Sequence, residues 1–546
     1  MRTSLLIISA LLLGLFVRAQ GPTLILTNGK IFTSDTSQLY TEALAIKDGR
    51  IIASGSTNQI EKLAVKGTRR IDLGGRLVVP GFNDAHNHMP DGLRSEKITL
   101  PSIDPSWETL RDSIRAIAAR IPEGQWIEST IGISIANSRA VNRFEIDKIA
   151  PKHPVRLLSW WGHVGIYNTL GLTKMGISTT QADPKGGFYE RLPDNKTLTG
   201  RALEMNAYRP HTSYSYMASM RDEPRLIEEL KGMSRELLKL GITSYQNMTT
   251  GASAEDYISL WKKAGLPFRL RLIRWADMNA DGSLSIPSKE LPSKTPAMPL
   301  ITVSGTKWLL EGTPLEQGAE QMEAYPGRPD WYGRMNYTMP ELERMLRDAI
   351  ARKDQIHLHV GGSKSIGRVL DLMYGMNVNW KPLRPRFEHG DEIDYSAAYL
   401  QKARQMGVII VQNPTHFAPI PGMQPQPLLK HGMALKSLLT AGIPLAIGSD
   451  GPFNPYLNIM LASTHAQRPS EALTREQAVI AYTRTAAFAE FEEQNKGTLT
   501  VGKVADLAIL SQNIFTADLN QLMSTESIMT LVGGKIVYDK GVLKFK

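Results

Sequence analysis

Between residues 339 and 450 helical and strand patterns alternate in strict succession, and this alternation limits the fold more than any other feature of the chain. Residues 340–352 repeat their apolar positions with a helical period, and 355–360 follow as a strand. A helix at 365–374 precedes a short strand at 386–389, and a helix at 394–406 precedes a strand at 408–412. A last helix at 428–440 precedes the strand that starts at Pro444 and runs up to Asp450. Strands separated by helices make βαβ units and a parallel sheet. This stretch amounts to half of a (β/α)8 barrel. Earlier barrel strands are expected at 77–83, 155–159, 241–245, 268–273 and 302–309.

Both ends of the chain differ from this middle. Residues 23–78 are short β-rich runs broken by Asn28-Gly29 and Asp48-Gly49, pairs that favour hairpin turns. The far end repeats the pattern at 507–510, at 528–532 and, after Gly533-Gly534, from Lys535 on. Two all-β pieces at opposite ends can join in one sheet domain. The expected α/β architecture is therefore a small β-sandwich from 20–78 and 490–546, and a (β/α)8 barrel from 79–489. Ahead of both, Arg2 gives a positive start, Leu5 to Phe16 is a twelve-residue apolar run, and Val17-Arg18-Ala19 is a small-x-small ending. Such a run is short for a bilayer, so 1–19 reads as a signal peptide and the mature protein as secreted or periplasmic, with no stable membrane insertion after cleavage.

The chain contains no cysteine, which excludes disulfides, thiolate zinc sites and a cysteine nucleophile. A transition metal would need His and carboxylate ligands. The net charge of +10 raises the question of nucleic acid, but the 63 basic residues are interleaved with 53 acids and never run to five in a row. A solvated basic surface is the expectation, with no nucleic-acid partner.

Barrel strands deliver the residues at their carboxyl ends to one shared face. The first expected strand leads into Asp84-Ala85-His86-Asn87-His88. In extended chain, positions i and i+2 point to one side, so His86 and His88 can meet one ion. His359, His389 and Asp450 end three later strands. Imidazole and carboxylate suit Zn²⁺ and its divalent neighbours. His357 would share a face with His359, so it could substitute as a ligand or sit as a second-layer histidine. His163 follows Trp160-Trp161-Gly162, where it can bind a substrate carbonyl or sit as a hydrogen-bonded core histidine. Trp161 can line an apolar pocket or simply pack. His153, His211, His416, His431 and His465 receive no role. Ser449 lacks a nucleophile elbow, which disfavours a Ser-His-Asp hydrolase.

The run Val79-Pro-Gly-Phe-Asn-Asp-Ala-His-Asn-His88, with His359, His389 and Gly448-Ser-Asp450, resembles the amidohydrolase superfamily. Gly162-His163 with Asn168, Gly200-Arg-Ala-Leu-Glu204, Thr306-Lys307 with Gly312, Glu388-His389 and Gly497 to Asp506 resemble the branch of N-substituted formamide deformylases. The resemblance covers residues 23 to 546. It implies a barrel with a terminal β-sandwich and one or two divalent ions, zinc being expected. It places His86, His88 and Asp450 on a buried ion, and His359 and His389 on a more exposed one. Lys307 stands where a carboxylated lysine bridges two metals in this superfamily, and Glu204 is the alternative bridge. Glu311 and Gly362-Ser363 depart from the pattern near the substrate, which weakens any transfer of specificity.

The implied reaction is hydrolysis of a C–N bond in a small molecule. A metal lowers the pKa of bound water from about 16 to about 7, and Asp450 moves the proton from the attacking water to the leaving nitrogen. His163, Trp161 and Glu204 are the candidate substrate contacts. Other amidohydrolase chemistry, a metal lyase or isomerase, and an inactive barrel that only binds are the alternatives. A homodimer is one assembly considered.

Overall fold

Eight parallel strands form one sheet in the order Phe82–Asn87, Ile242–Met248, Arg269–Trp275, Ile301–Leu309, Ile356–Val360, Arg386–His389, Ile409–Gln412 and Leu445–Ile447. These assignments come from a computed structural model that describes residues 21–545 except 90–92, 103, 280, 288–299 and 418–430. The expected signal peptide lies outside the described residues. The barrel strands are almost wholly buried, as parallel strands covered by helices must be. Helices Ala254–Ala264, Met339–Arg352, Ser363–Gly375 and Ala397–Met406 supply the cover. Their ends follow sequence rules. Ser253 with Asp256, and Thr338 with Glu341, form capping boxes. Gly265 and Gly407 end their helices in the left-handed region, at φ +64° and +70°. Leu342 and Leu346 of one helix join Ile356 and Leu358 of the next strand in the largest apolar core. Among the described residues no helix is long and apolar enough to cross a membrane.

Two expected strands are corrected. Val155–Ser159 is a strand but not a barrel strand. It lies in a separate six-stranded sheet, parallel to Trp126–Ile131 and antiparallel to Val164–Tyr167. This sheet is inserted between the first and second barrel strands and has its own core around Ile127, Leu157 and Ile166. The run 77–83 is divided at Pro80-Gly81. Leu77–Pro80 pairs with Leu507–Leu510, and only Phe82–Asn87 enters the barrel. Pro80 has no N–H for a further ladder bond. The chain changes partners here: Gly81 N–H bonds Asp506 O at 3.0 Å and Phe82 N–H bonds Gly241 O at 3.0 Å.

Strands from the two chain ends do share a sheet, running Lys535–Asp539, Ser527–Val532, Leu507–Leu510, Leu77–Pro80, Lys30–Phe32, Tyr40–Thr41. A four-stranded sheet contains Arg50–Gly55, Ala43–Lys47, Leu24–Thr27 and Arg69–Asp72. Leu26, Ile46 and Ile71 of the smaller sheet share one apolar cluster with Val78, Leu507 and Leu531 of the larger. Asp48-Gly49 makes the expected hairpin, with both residues at positive φ, +49° and +78°. Asn28-Gly29 does not: it carries the chain from the four-stranded to the six-stranded sheet. The helix expected at 428–440 is seen as Leu435–Thr440, and 428–430 lie outside the described residues.

Candidate metal centre

The carboxyl ends of the barrel strands surround a cavity of about 100 Å³. His86, His88, Lys307, His359, His389 and Asp450, the six residues proposed as ligands from the sequence, all line it. So do His163 and Trp161, with Trp160 and Trp275 beside them. The six candidate ligands arrive from five strands. His86 and His88 face one side of the first strand, Lys307 belongs to the fourth, His359 to the fifth and His389 to the sixth. Asp450 follows the eighth.

The polar atoms converge without bonding one another. His86 Nε2 and His88 Nε2 each lie 3.6 Å from an Asp450 oxygen, and His389 Nε2 lies 3.9 Å away. These gaps exceed a hydrogen bond. The ligand atoms of His86, His389 and Asp450 all lie within 4.8 Å of one another. His389 thus sits with the residues assigned to the other ion in the resemblance. Its ring is also 4.4 Å from that of His359. His389 and Asp450 both have left-handed backbone, φ +71° and +44°, a cost of about 1–3 kcal/mol each that recurs at functional sites.

Burial and the Lys307 charge hold His86 well below the ordinary imidazole range and push His88 down to about 4. Burial and neighbouring histidines keep His359 and His389 low as well. These imidazoles are therefore held neutral, the form able to bind a metal. Burial pushes Asp450 up to about 7, against the opposing pull of Lys307. Lys307 is fully buried, and its Nζ has no hydrogen-bond partner among the described residues. Burial brings it down to about 8.

A supporting layer lies beneath. Glu388 accepts from His86 Nδ1 at 2.7 Å and from His357 Nδ1 at 2.9 Å, while Arg386 Nε donates to it at 2.8 Å. This fixes the His86 tautomer and turns its Nε2 toward the cavity. His88 Nδ1 is held by Met248 O at 3.1 Å. His357 is fully buried in that layer.

Glu204 lies in a second cluster. It accepts from His163 Nδ1 at 3.0 Å, and Glu316 is 3.9 Å from the same nitrogen. Glu316 also accepts from Trp161 Nε1 at 2.6 Å. Burial alone would depress His163, but Glu204 overcomes it and raises the imidazole. The His163 ring rests 4.8 Å from that of His359. Three residues of the site escape the sequence. Glu388 is visible only as a neighbour of His389. Glu316 comes from an irregular loop. His416, given no role, lies 3.7 Å from Asp450 and stacks 5.5 Å from His389. It sits on the turn Pro414–Phe417 just past the seventh strand, so the strand-end rule used for the others could have found it.

The chain is 25% identical to N-substituted formamide deformylase of Arthrobacter pascens, over 95% of this chain and 98% of that protein. It is 27% identical to LONG AFTER FAR-RED 3 of Arabidopsis thaliana, over 94% of this chain and 91% of that one. Among solved structures, an uncharacterized metal-dependent hydrolase of Pyrococcus horikoshii shares the fold, with a TM-score of 0.66 at 18% identity over 91% of this chain and 99% of that one. The pattern of the amidohydrolase family matches residues 69–538, so the chain belongs to that family.

Proposed function

We propose that this protein is an exported metal-dependent hydrolase that cleaves the C–N bond of a small amide-type molecule. The observation that carries this reading is the convergence of four neutral imidazoles, Asp450 and the buried Lys307 on one cavity. Gaps of 3.6–3.9 Å between nitrogen and carboxylate suit a cation placed between them. His86, His88, His389 and Asp450 would hold one ion, with His359 and Lys307 available to a second. The all-N,O donor set favours Zn²⁺ or a close neighbour. Bound there, the cation supplies Lewis-acid polarisation of the carbonyl and acidifies water to about pKa 7.

The protein's own groups do the rest. Asp450 accepts the proton of the attacking water and returns it to the leaving nitrogen. His163, held by Glu204, and Trp161, held by Glu316, present fixed groups to the substrate. Lys307 is set up for carboxylation: burial lowers it and so favours the neutral amine that reacts. The amine nitrogen bonds the carbon of CO₂, one N–H proton leaves to solvent, and the resulting anion can bridge two cations. Glu204 is already engaged by His163, so Lys307 is the better bridge.

N-substituted formamides, dipeptides, cyclic amides and aminopurines, with and without added Zn²⁺, form the test panel. His86→Ala should lose bound metal and activity together. Full metal occupancy with wild-type turnover in that variant would refute the assignment.

A further inference from the structure

The first and eighth barrel strands carry His86, His88 and Asp450, yet they are the two edges of the eight-stranded sheet, and no main-chain ladder is found between them among the described residues. One backbone bond crosses this seam, from Asp450 N–H to His86 O at 2.9 Å. The remaining crossing bonds go to a side chain. Asp84, fully buried on the first strand, accepts the Ser449 main-chain N–H on Oδ1 at 2.9 Å and the Ser449 hydroxyl on Oδ2. Asn87 Nδ2 donates to Asp84 Oδ2 at 3.1 Å and to Ser449 Oγ at 2.9 Å. The His86 N–H also leans on Asp84 Oδ1 at 3.4 Å. Gly448 leaves the strands no slack: a Cβ there would lie 2.3 Å from His86 N.

We propose that Asp84, acting with Ser449, is the positioning residue of the metal centre. It sets the register between the strand that carries His86 and His88 and the strand that carries Asp450. A parallel ladder normally fixes register through evenly spaced bonds. At this seam a single backbone bond remains, and the Asp84 carboxylate takes over the function of the missing ones. A metal needs its ligand atoms placed to within a few tenths of an ångström. A slip of this seam would separate Asp450 from both histidines at once. Asp84 does not line the cavity, so it acts through the ligands alone. The inference rests on the metal reading above.

Co²⁺ is the probe, because its visible absorption reports ligand geometry. Asp84→Asn and Ser449→Ala are compared with wild type for Co²⁺ affinity by chelator competition, for the absorption spectrum, and for metal-free melting temperature. Both variants should bind Co²⁺ about ten- to a hundredfold more weakly and show an altered spectrum. Ser449→Ala should melt close to wild type without metal. The double variant should lose little more than the worse single one, since both residues act through one contact. Wild-type affinity and spectrum in the variants would overturn the proposal, whatever their melting temperatures; a purely structural role predicts that result. If Asp84→Asn does not fold, Ser449→Ala decides alone. A wild-type protein that takes up no Co²⁺ would overturn the metal reading itself, an outcome distinct from a loss confined to the variants.

Discussion

Asp450 sits at φ +44° with its carboxylate 3.6 to 3.9 Å from four imidazoles. It can be a ligand, a proton carrier or both, and one substitution separates these roles. Asp450→Asn keeps the shape and leaves the histidines in place. Loss of general acid–base catalysis should cost about 10² to 10⁴ in turnover at saturating metal, roughly 3 to 5.5 kcal/mol. Near-wild-type turnover under those conditions would leave Asp450 a ligand only. Lys307→Ala should also reduce turnover, and bicarbonate or a short-chain carboxylate should restore part of it by filling the same space with an anion. A crystal structure showing plain lysine in a fully active preparation would oppose the carbamate. Asp450 was legible in the sequence because it follows an apolar strand whose pattern announces it, and Lys307 only through its resemblance to a family motif. Glu388 and Glu316 were not. Their partners are distant in the chain: His86 precedes Glu388 by 302 positions, and Trp161 precedes Glu316 by 155.

At the scale of elements, strands were easier to find than sheets. Val155–Ser159 alternates buried and half-buried residues like any half-covered strand, and nothing local tells it from a barrel strand. Its neighbours decide, and they lie in the inserted sheet. The apolar run through Val78, Val79 and Phe82 hides a change of sheet for the same reason. Gly81 marks the change in the structure. A Cβ on it would fall 2.1 Å from Thr243 Oγ1 and 2.3 Å from Thr243 Cγ2 on the second barrel strand. Gly81→Ala should therefore destabilise the protein by about 1–3 kcal/mol through overpacking. Thr243→Ala in the same chain should restore part of that, because it removes both of those atoms. Denaturant unfolding of the two variants checks this. Equal stability of Gly81→Ala and wild type would mean that the backbone shifts there at no cost.

At the scale of the molecule, the terminal sheets and the barrel are tied by buried charge. Arg269, on the third barrel strand, donates Nε to Asp506 Oδ2 at 2.6 Å and Nη2 to Asp506 Oδ1 at 3.0 Å. Asp506 lies just before Leu507–Leu510 and also accepts the Gly533 N–H at 2.7 Å, so one carboxylate joins barrel, strand and turn. Both side chains are under a tenth exposed. Removing one partner leaves an uncompensated buried charge, which typically costs about 3–5 kcal/mol. Asp506→Ala should lose that much, and the loss should be felt throughout. All nine tryptophans fall between Trp107 and Trp380, outside the terminal sheets, so their fluorescence follows the barrel and its inserted sheet. Circular dichroism follows every element. If the tie couples the two parts, Asp506→Ala shifts the fluorescence and dichroism transitions to lower denaturant together. A shift in dichroism with the fluorescence midpoint left at the wild-type position would show that the terminal sheets unfold on their own and that the barrel stands without them.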